Sequence, residues 1–142
     1  MKTYPFSALL SRMKYITRWS LMRSGRPESL SEHTADTAML AHMLCLIAQK
    51  CTGTGDGLRP EVVATAALYH DAPEILTGDM PTPVKYKNDA LRTAYKAVER
   101  ESARVMASLQ PSELQAETQD WLTGSVLNDA ERKLLKAADR LS

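Results

Sequence analysis

The sequence predicts an all-α protein that folds as one helical domain. Its apolar residues are mainly helix formers, with 18 alanines and 18 leucines against 6 valines and 3 isoleucines. No segment shows the sustained alternation of apolar and polar residues that a half-buried strand requires. The length of 142 residues is that of one ordinary domain. We therefore expect a bundle of about six helices that occupies residues 1–142.

The first two predicted helices flank a basic, turn-rich segment, residues 18–27. The first helix begins near Pro5, because proline is tolerated at a first helical position. Its apolar stripe comprises Leu9, Leu10, Met13 and Ile16. The second helix opens at Ser29 and Glu32, which have the spacing of a capping box, and it extends through Ile47.

Glycines and prolines predict several interruptions of helical structure in the middle of the chain. The alternating glycines of residues 52–57 have no strand before them, so they predict a flexible connector and not a phosphate-binding loop. A third helix is expected from about Pro60 to His70, and Pro73 should break it. Two further prolines predict an irregular loop from Thr77 to Tyr86.

Three more helices complete the predicted bundle. A long helix begins at about Asn88, and a short one follows Pro111. The apolar stripe of the long helix comprises Leu91, Tyr95, Val98, Val105 and Leu109. The last helix opens with Asn128 and Glu131 in capping positions. Its apolar stripe comprises Leu134, Leu135, Ala138 and Leu141.

Charge and composition limit the classes of partner. The net charge is +1, yet residues 1–30 sum to +5 with Glu28 as their only acid. This asymmetry favours a small anionic ligand over a nucleic-acid polymer, and a solvated basic helix face is the alternative. No apolar run approaches the roughly 20 residues that span a bilayer, and the N-terminus lacks the apolar core of a signal peptide. With only Cys45 and Cys51, we expect a reduced, cytoplasmic chain with no membrane partner.

Histidines and aspartates provide the candidate chemistry. His33 lies in the first turn of the second helix, His70 and Asp71 lie where the third helix breaks, and Asp139 lies in the last helix. Taken singly, each has a plain structural explanation as a capping or solvated residue. Their order along the chain is what suggests that three helices converge on one metal ion.

This order resembles the HD-domain metal-dependent phosphohydrolases, and most closely their bacterial 5′-deoxynucleotidase branch. The bare His, His-Asp, Asp pattern is typical of the whole superfamily, whereas the stretch around Thr77–Asp79 is specific to the branch. The resemblance extends from about Ser11 to Arg140. The segments that resemble the family are Ser11–Lys14, Arg18–Trp19, Ser31–His33, Tyr69–Glu74, Leu76–Tyr86 and Lys136–Asp139.

The resemblance implies a role for each matching position. The implied metal ligands are His33, His70, Asp71 and Asp139. Glu74 matches the acidic residue that the family requires for catalysis, and Arg18 matches a catalytic position that orients the phosphate. Trp19 matches the sugar surroundings, although a staple that closes the first helix is the alternative. The implied substrate contacts are Arg18, Trp19, His33, Asp71, Asp79, Met80, Pro81, Thr82 and Asp139.

The number of ligands favours a mononuclear centre. His42 lies nine positions after His33, which places it half a turn away on the helix, so it should face away from the site. Two histidines and two aspartates then exhaust the plausible ligands, which argues against a binuclear centre. A mixed imidazole–carboxylate site suits Mn²⁺, Co²⁺, Fe²⁺ or Zn²⁺. The resemblance implies cobalt or manganese.

The expected reaction is hydrolysis of deoxyribonucleoside 5′-monophosphates to deoxynucleoside and phosphate. The metal would neutralise charge on the phosphoryl group, Arg18 would bind its oxygens, and Glu74 would orient or deprotonate water. No nucleophile elbow occurs, which disfavours a covalent serine or cysteine route. Two alternatives are a hydrolase of another phosphorylated metabolite, such as a guanosine polyphosphate, and a non-catalytic nucleotide-binding domain.

The last helix suggests self-association. Family members continue for several helices beyond the position of Asp139, so we expect a shortened chain that lacks the family's C-terminal helices. The stripe that ends at Leu141 would then stay uncovered, and an exposed apolar patch favours an interface. We therefore expect a homodimer.

Overall fold

The computed structural model describes residues 1–19, 25–80 and 82–142, and it confirms the all-α prediction. Five α-helices of ten or more residues and three short ones occur in these ranges, close to the predicted number. No helix among them has the length and apolar character needed to cross a bilayer. The helices are α1 (Phe6–Leu10), α2 (Leu30–Lys50), α3 (Pro60–Tyr69), α4 (Glu74–Thr77), α5 (Thr82–Lys85), α6 (Asp89–Ala107), α7 (Ser112–Thr123) and α8 (Asp129–Leu141).

The chain forms two compact units. The first unit comprises Met1–Ser31 and Ala72–Gln119, and the second comprises Glu32–Asp71 and Asp120–Ser142. Each unit therefore combines two separate stretches of sequence. The expectation of a single domain over residues 1–142 stays a prediction.

The N-terminal helix of the first unit is shorter than expected. After α1, residues Ser11–Tyr15 form a 3₁₀ turn in which Met13 is buried. Ile16 leaves the helix with φ −90° and ψ 111°. Its carbonyl accepts a hydrogen bond of 2.8 Å from the backbone N–H of Leu30. The predicted continuous stripe to Ile16 is therefore wrong, because this long-range bond and the β-branched side chain favour extended backbone.

Two short strands complete this part of the first unit. Strand β1 (Thr17–Arg18) pairs antiparallel with β2 (Glu28–Ser29), so that Arg18 stands opposite Glu28. The sequence does not predict this ribbon, because two residues are too few to show a periodic pattern. The ribbon places a basic and an acidic side chain together.

The segment expected to be irregular, from Thr77 to Tyr86, contains helical structure. Helix α4 extends through Thr77, and α5 follows with Pro83 in its first turn, where a missing N–H has no cost. The Lys85 side chain donates a 2.7 Å hydrogen bond to Glu99 on α6, and its Nζ lies 4.4 Å from the centre of the Tyr95 ring. These contacts attach α5 to α6, which local sequence cannot show.

Helix α6 begins where predicted but buries a different face. The Asn88 side chain accepts a 2.8 Å hydrogen bond from the Leu91 N–H and caps the helix. Tyr95 is buried as expected, whereas Val98 and Val105 are exposed. The other buried residues are Ser102, Ala103, Met106 and Ala107. The buried face therefore consists of Tyr95, Met106 and three small side chains, and the two valines lie outside it.

The second unit has a core in which α2, α3 and α8 meet. Leu135 and Ala138 of α8 lie in this core, and Leu134 packs against it. The expectation that the α8 stripe stays uncovered is therefore wrong, because α2 and α3 cover it. Of the four residues in this stripe, only Leu141 lies outside the core, and 69% of its surface is exposed. The core comprises Ala38, Ala41, Cys45, Leu58, Val63, Ala66, Ala67, Leu127, Leu135 and Ala138.

The glycine connector of the second unit is packed and hydrogen-bonded. A Cβ on Gly55 would lie 2.7 Å from the backbone nitrogen of Gln49, so only glycine allows this close approach to α2. The Gln49 side chain donates a 2.8 Å hydrogen bond to the Leu58 carbonyl. These contacts attach the connector to α2 at Gly55, and the expectation that the connector is flexible stays a prediction.

A fully buried carboxylate fixes the start of α8. The predicted capping box is confirmed, because Asn128 and Glu131 each accept a hydrogen bond from the other's backbone N–H. Glu131 also receives Arg59 in fork geometry, at 2.6 Å to Oε1 and 3.1 Å to Oε2, together with the Arg59 N–H at 3.0 Å. Burial acts to raise the pKa of Glu131, but these donors outweigh it and the pKa is lowered.

We expect Glu131→Gln to destabilise the second unit. The amide keeps the size of the side chain but loses its charge. Its NH₂ group would also face groups that already donate hydrogen bonds, so the free energy of unfolding should fall by roughly 3 kcal/mol. Urea unfolding followed by circular dichroism measures this loss. Asp129→Asn removes the same charge from an exposed position on the same helix, and its cost should stay below about 1 kcal/mol. Equal effects of the two substitutions would contradict the assignment.

The contribution of Glu131 should also depend on pH. Its pKa in the folded protein lies below the ordinary 4.5, so the stabilisation is complete above that value and is lost as the pH falls through the folded pKa. The difference in unfolding free energy between the wild type and Glu131→Gln should therefore shrink on acidification below about pH 4. A difference that stays constant would exclude an ionised carboxylate at this position.

Candidate metal centre

Three helices of the second unit position the four predicted ligands. His33 lies in the first turn of α2, Asp139 lies in the last turn of α8, and His70 and Asp71 directly follow α3. One nitrogen or oxygen atom from each residue lies within 4.8 Å of all the others. Among the described residues no other group of this kind occurs, and this one does not include His42, as the helical spacing predicted.

Each imidazole approaches both carboxylates through its Nε2 atom. His33 Nε2 lies 2.6 Å from Asp139 Oδ1 and 3.6 Å from Asp71 Oδ2. His70 Nε2 lies 3.2 Å from each of the same two oxygen atoms. The two ring centres are 5.9 Å apart with the planes tilted by 55°. The two nitrogen and two oxygen donors therefore face one small volume.

The charges of this cluster favour a bound cation. Burial lowers the pKa of His70, but the charge of Asp71 and hydrogen bonds to Asp139, Asp71 and the Ala67 carbonyl outweigh it and raise the pKa to about 10. Burial acts to raise the pKa of Asp139, but hydrogen bonds from His33 and His70 hold it well below its ordinary value. Asp139 thus stays ionised at neutral pH and attracts positive charge.

The donor set fits a divalent metal ion. Imidazole nitrogen and carboxylate oxygen are the usual ligands of divalent transition metals. Two ligands bound at about 2.1 Å to one ion are at most about 4.2 Å apart, and the four nitrogen–oxygen distances above meet this limit. The His70 Nδ1 faces the Ala67 carbonyl, which can only accept, so Nδ1 is the donor and Nε2 is left for a metal.

Other predicted site residues belong to the first unit, where Arg18 and Trp19 adjoin the β1–β2 ribbon. Arg18 Nη1 donates a 2.6 Å hydrogen bond to Glu28, and its Cζ lies 5.4 Å from the Trp19 ring centre. The Trp19 backbone has φ +60°, a left-handed conformation that is rare for a bulky residue. Its N–H donates a 2.9 Å hydrogen bond to Asp79, sixty residues later. Arg18, Trp19 and Asp79 therefore lie close together in the first unit.

The remaining predicted residues vary in burial. Glu74 is the first residue of α4 and is buried. Met80 is half-buried, and Thr82 is exposed at the start of α5. Pro81 lies outside the residues that the structure describes.

The hydrogen-bond partners of the site residues were not predicted from the sequence. Glu28 binds Arg18, and its place as the sole acid in residues 1–30 was a signal that could have suggested this pairing. Thr37 and Ser142 lie beside the His33 ring. Neither has a sequence signal, because isolated hydroxyl residues are common on helices.

The sequence is similar to those of known 5′-deoxynucleotidases. A model of the family described as 5′-deoxynucleotidase YfbR-like matches residues 5–142. A 5′-deoxynucleotidase of Vibrio parahaemolyticus is 42% identical over 141 residues, which cover 99% of this chain and 72% of that protein. The 5′-deoxynucleotidase YfbR of Escherichia coli is 43% identical over 141 residues, with 99% of this chain and 70% of that protein covered.

Solved structures show the same fold. An HD-domain phosphohydrolase from Listeria innocua superposes with a TM-score of 0.82 at 24% identity. The match covers 96% of this chain and 64% of that one, so this chain spans slightly less than two thirds of its length. A conserved hypothetical protein from Pyrococcus furiosus matches with a TM-score of 0.66 at 21% identity over 96% of this chain. These likenesses confirm the predicted HD-domain fold.

We expect Asp71→Ala to abolish metal binding. The wild type should bind one divalent ion per chain, and saturation with metal should raise its melting temperature by about 5–10 °C, because the ion binds only the folded protein. Metal analysis after gel filtration and thermal melts with and without metal measure both effects. Asp36 is an exposed aspartate on α2, so Asp36→Ala should still bind one ion and show the same rise in melting temperature. Stoichiometric metal in Asp71→Ala would show that the ligand assignment is wrong.

Proposed function

The chain belongs to the YfbR-like 5′-deoxynucleotidase family, and we propose that it hydrolyses deoxyribonucleoside 5′-monophosphates to deoxynucleosides and phosphate. The observation that best supports this proposal is the convergence of His33, His70, Asp71 and Asp139 within 4.8 Å. A divalent ion held by such a cluster would supply the chemistry that phosphate-ester hydrolysis requires. Relatives at 42% and 43% identity over nearly the whole chain are named as 5′-deoxynucleotidases.

We assign the metal-ligand role to all four cluster residues. A bound divalent ion would neutralise charge that develops on the phosphoryl group and would lower the pKa of water. Both imidazoles approach through Nε2, and both aspartates offer an oxygen to the same volume. We propose cobalt or manganese as the working metal, while iron and zinc suit the same donors.

Glu74 is proposed as the proton-handling residue. A carboxylate can orient water for attack and accept its proton. Glu74 is buried, and it follows Asp71 by three positions in the sequence. Burial favours such a role, because it keeps a carboxylate away from competing solvent.

Arg18 is proposed to bind the phosphate group. Its guanidinium offers planar, paired donors that match two phosphate oxygens. Glu28 accepts from Nη1 at 2.6 Å and so holds the side chain in one orientation before substrate arrives. A side chain fixed in this way loses less conformational entropy on binding.

Trp19 and the residues around Asp79 are proposed to surround the nucleoside. The left-handed backbone of Trp19 costs about 1–3 kcal/mol and persists only when other contacts impose it, here the hydrogen bond to Asp79. Strain of this kind is concentrated in functional sites. A fixed indole beside the sugar can reject a 2′-hydroxyl, which would favour deoxyribonucleotides. Met80, Pro81 and Thr82 continue this proposed contact segment.

We also propose a cytoplasmic homodimer. Met39, Met43 and Ile47 of α2 are exposed at a spacing of four residues and form one apolar stripe. Self-association would remove this stripe from water. Light scattering after gel filtration measures the mass, and a monomer at micromolar concentration would overturn the dimer.

Phosphate release is the assay that tests the function. Deoxyribonucleoside and ribonucleoside 5′-monophosphates, guanosine polyphosphates and 3′-monophosphates should be compared with Co²⁺, Mn²⁺, Zn²⁺, Mg²⁺ and no metal. We expect release only from 5′-monophosphates, with a preference for the deoxy sugar. Release from polyphosphates alone would favour the other HD-domain hydrolases, and binding without release would favour a non-catalytic domain.

Glu74→Gln should keep the metal and lose turnover. The amide retains the size of the side chain but cannot accept a proton, so kcat should fall by about 10²–10⁴. Metal content and kcat with a deoxyribonucleoside 5′-monophosphate are measured together. Glu113→Gln, the same change at an exposed position on α7, should leave both unchanged. Wild-type kcat in metal-loaded Glu74→Gln would exclude the proposed role.

Arg18→Lys should impair the enzyme although the charge is retained. A lysine provides a single point of charge and cannot present paired donors, so kcat/KM should fall by about tenfold or more. Arg12→Lys, at an exposed position of the same unit, serves as the control. Equal kcat/KM values for the two variants would show that Arg18 does not bind the phosphate.

A further inference from the structure

The surroundings of the His33 ring contain a hydrogen-bonded group that the metal centre does not use directly. We infer that the hydroxyl of Ser142, supported by Thr37, fixes His33 in the tautomer with hydrogen on Nδ1, so that Nε2 presents its lone pair to the metal. This inference rests on the proposed metal-binding function. It makes Ser142 a positioning residue for a metal ligand.

The geometry around Ser142 is closely defined. Its Oγ lies 3.0 Å from His33 Nδ1, 2.7 Å from Thr37 Oγ1 and 3.2 Å from the backbone oxygen of Asp139. The His33 side chain is fully buried. Thr37 Oγ1 lies 3.5 Å from His33 Nε2, at the far limit of a hydrogen bond, so its short contact is the one with Ser142.

Only one placement of the hydrogen atoms makes all three contacts of Ser142 Oγ hydrogen bonds. A serine hydroxyl donates one hydrogen and accepts up to two, whereas a backbone carbonyl only accepts. Ser142 must therefore donate to the Asp139 carbonyl, and it then accepts from His33 Nδ1–H and from the Thr37 hydroxyl. With the opposite tautomer, Ser142 would donate to Nδ1 and the contact with the Asp139 carbonyl would have no hydrogen.

This assignment has a direct consequence for metal binding. A neutral imidazole binds a metal through the nitrogen that carries no hydrogen, and the partner of the other nitrogen decides which one that is. His33 Nε2 is the atom that faces Asp139 and Asp71, so hydrogen on Nδ1 is the tautomer that the centre needs. Ser142 thereby selects Nε2 as the nitrogen that binds the ion.

The two histidines are thus oriented by different groups. His70 Nδ1 faces the Ala67 carbonyl, a backbone atom that no side-chain substitution removes. His33 depends on a side-chain hydroxyl. Ser142 also lies one turn after Asp139, so the same residue contacts the backbone of one ligand and the ring of another.

The tautomer can be observed without measuring activity. Protein with ¹⁵N-labelled histidine is loaded with Zn²⁺, which is diamagnetic, and long-range ¹H–¹⁵N correlation spectra are recorded. The three histidine rings give three patterns, and His33→Gln identifies the pattern of His33. We expect hydrogen on Nδ1 and a metal-bound Nε2 in the wild type. Hydrogen on Nε2 of His33, or an Nδ1-bound metal, would overturn the inference.

Zn²⁺ affinity provides the second readout. Competition with a chromophoric chelator should show that Ser142→Ala binds Zn²⁺ about 10- to 100-fold more weakly, as expected for the loss of a partner that orients a ligand. Ser142→Thr keeps the hydroxyl and should restore affinity, and Thr37→Val should cause a smaller loss. Ser125→Ala, whose hydroxyl contacts Asp120 on the surface, is the matched control.

The outcomes separate this inference from the proposed function. If the wild type binds no Zn²⁺ or other divalent ion, the metal centre itself is wrong and the inference fails with it. If the wild type binds Zn²⁺ and Ser142→Ala binds it equally well, the metal centre stands and the role of Ser142 is refuted. A loss of affinity in Ser142→Ala that Ser142→Thr does not restore would also refute it, because the hydroxyl would then not be responsible.

Discussion

The ion pair between Glu131 and Arg59 is the interaction on which the second unit depends. It buries a carboxylate completely and gives both of its oxygens charged or backbone donors. A buried carboxylate without these donors would be strongly destabilising, so the start of α8 is held firmly. Asp139 lies two turns further along the same helix, and its position beside His33 follows from this attachment.

The candidate metal centre brings together imidazole and carboxylate groups, which the hydrophobic effect alone would not gather. Two aspartates lie beside two imidazoles in one small volume, and this donor set favours a cation between them. Apolar packing in the core of the second unit, to which α2, α3 and α8 contribute, offsets the free-energy cost of bringing these polar groups together. A divalent ion bound at this candidate centre would therefore stabilise the folded unit.

The first unit shows a different principle, in which a strained backbone is held by a distant side chain. Trp19 keeps a left-handed conformation because Asp79 binds its N–H, and Arg18 keeps one orientation because Glu28 binds its guanidinium. Both acids are separated in sequence from the residues that they hold. Side chains fixed in this way are suited to recognise a small anionic ligand with little loss of entropy.

The sequence alone determined the helical class, the helix starts at Pro60, Asn88 and Asn128, and the four residues of the candidate metal centre. The helical class and the helix starts depend on local propensity and capping, which neighbouring residues decide. The four residues of the candidate centre were instead indicated by the order of histidines and aspartates along the chain, which resembles that of a known family. Only the tertiary structure decided the extended backbone at Ile16, the helical turn α5, the buried face of α6, and the contacts of Glu28 and Ser142 with site residues. Each of these depends on atoms brought together from distant parts of the chain, and no periodicity or spacing in the sequence encodes such a meeting.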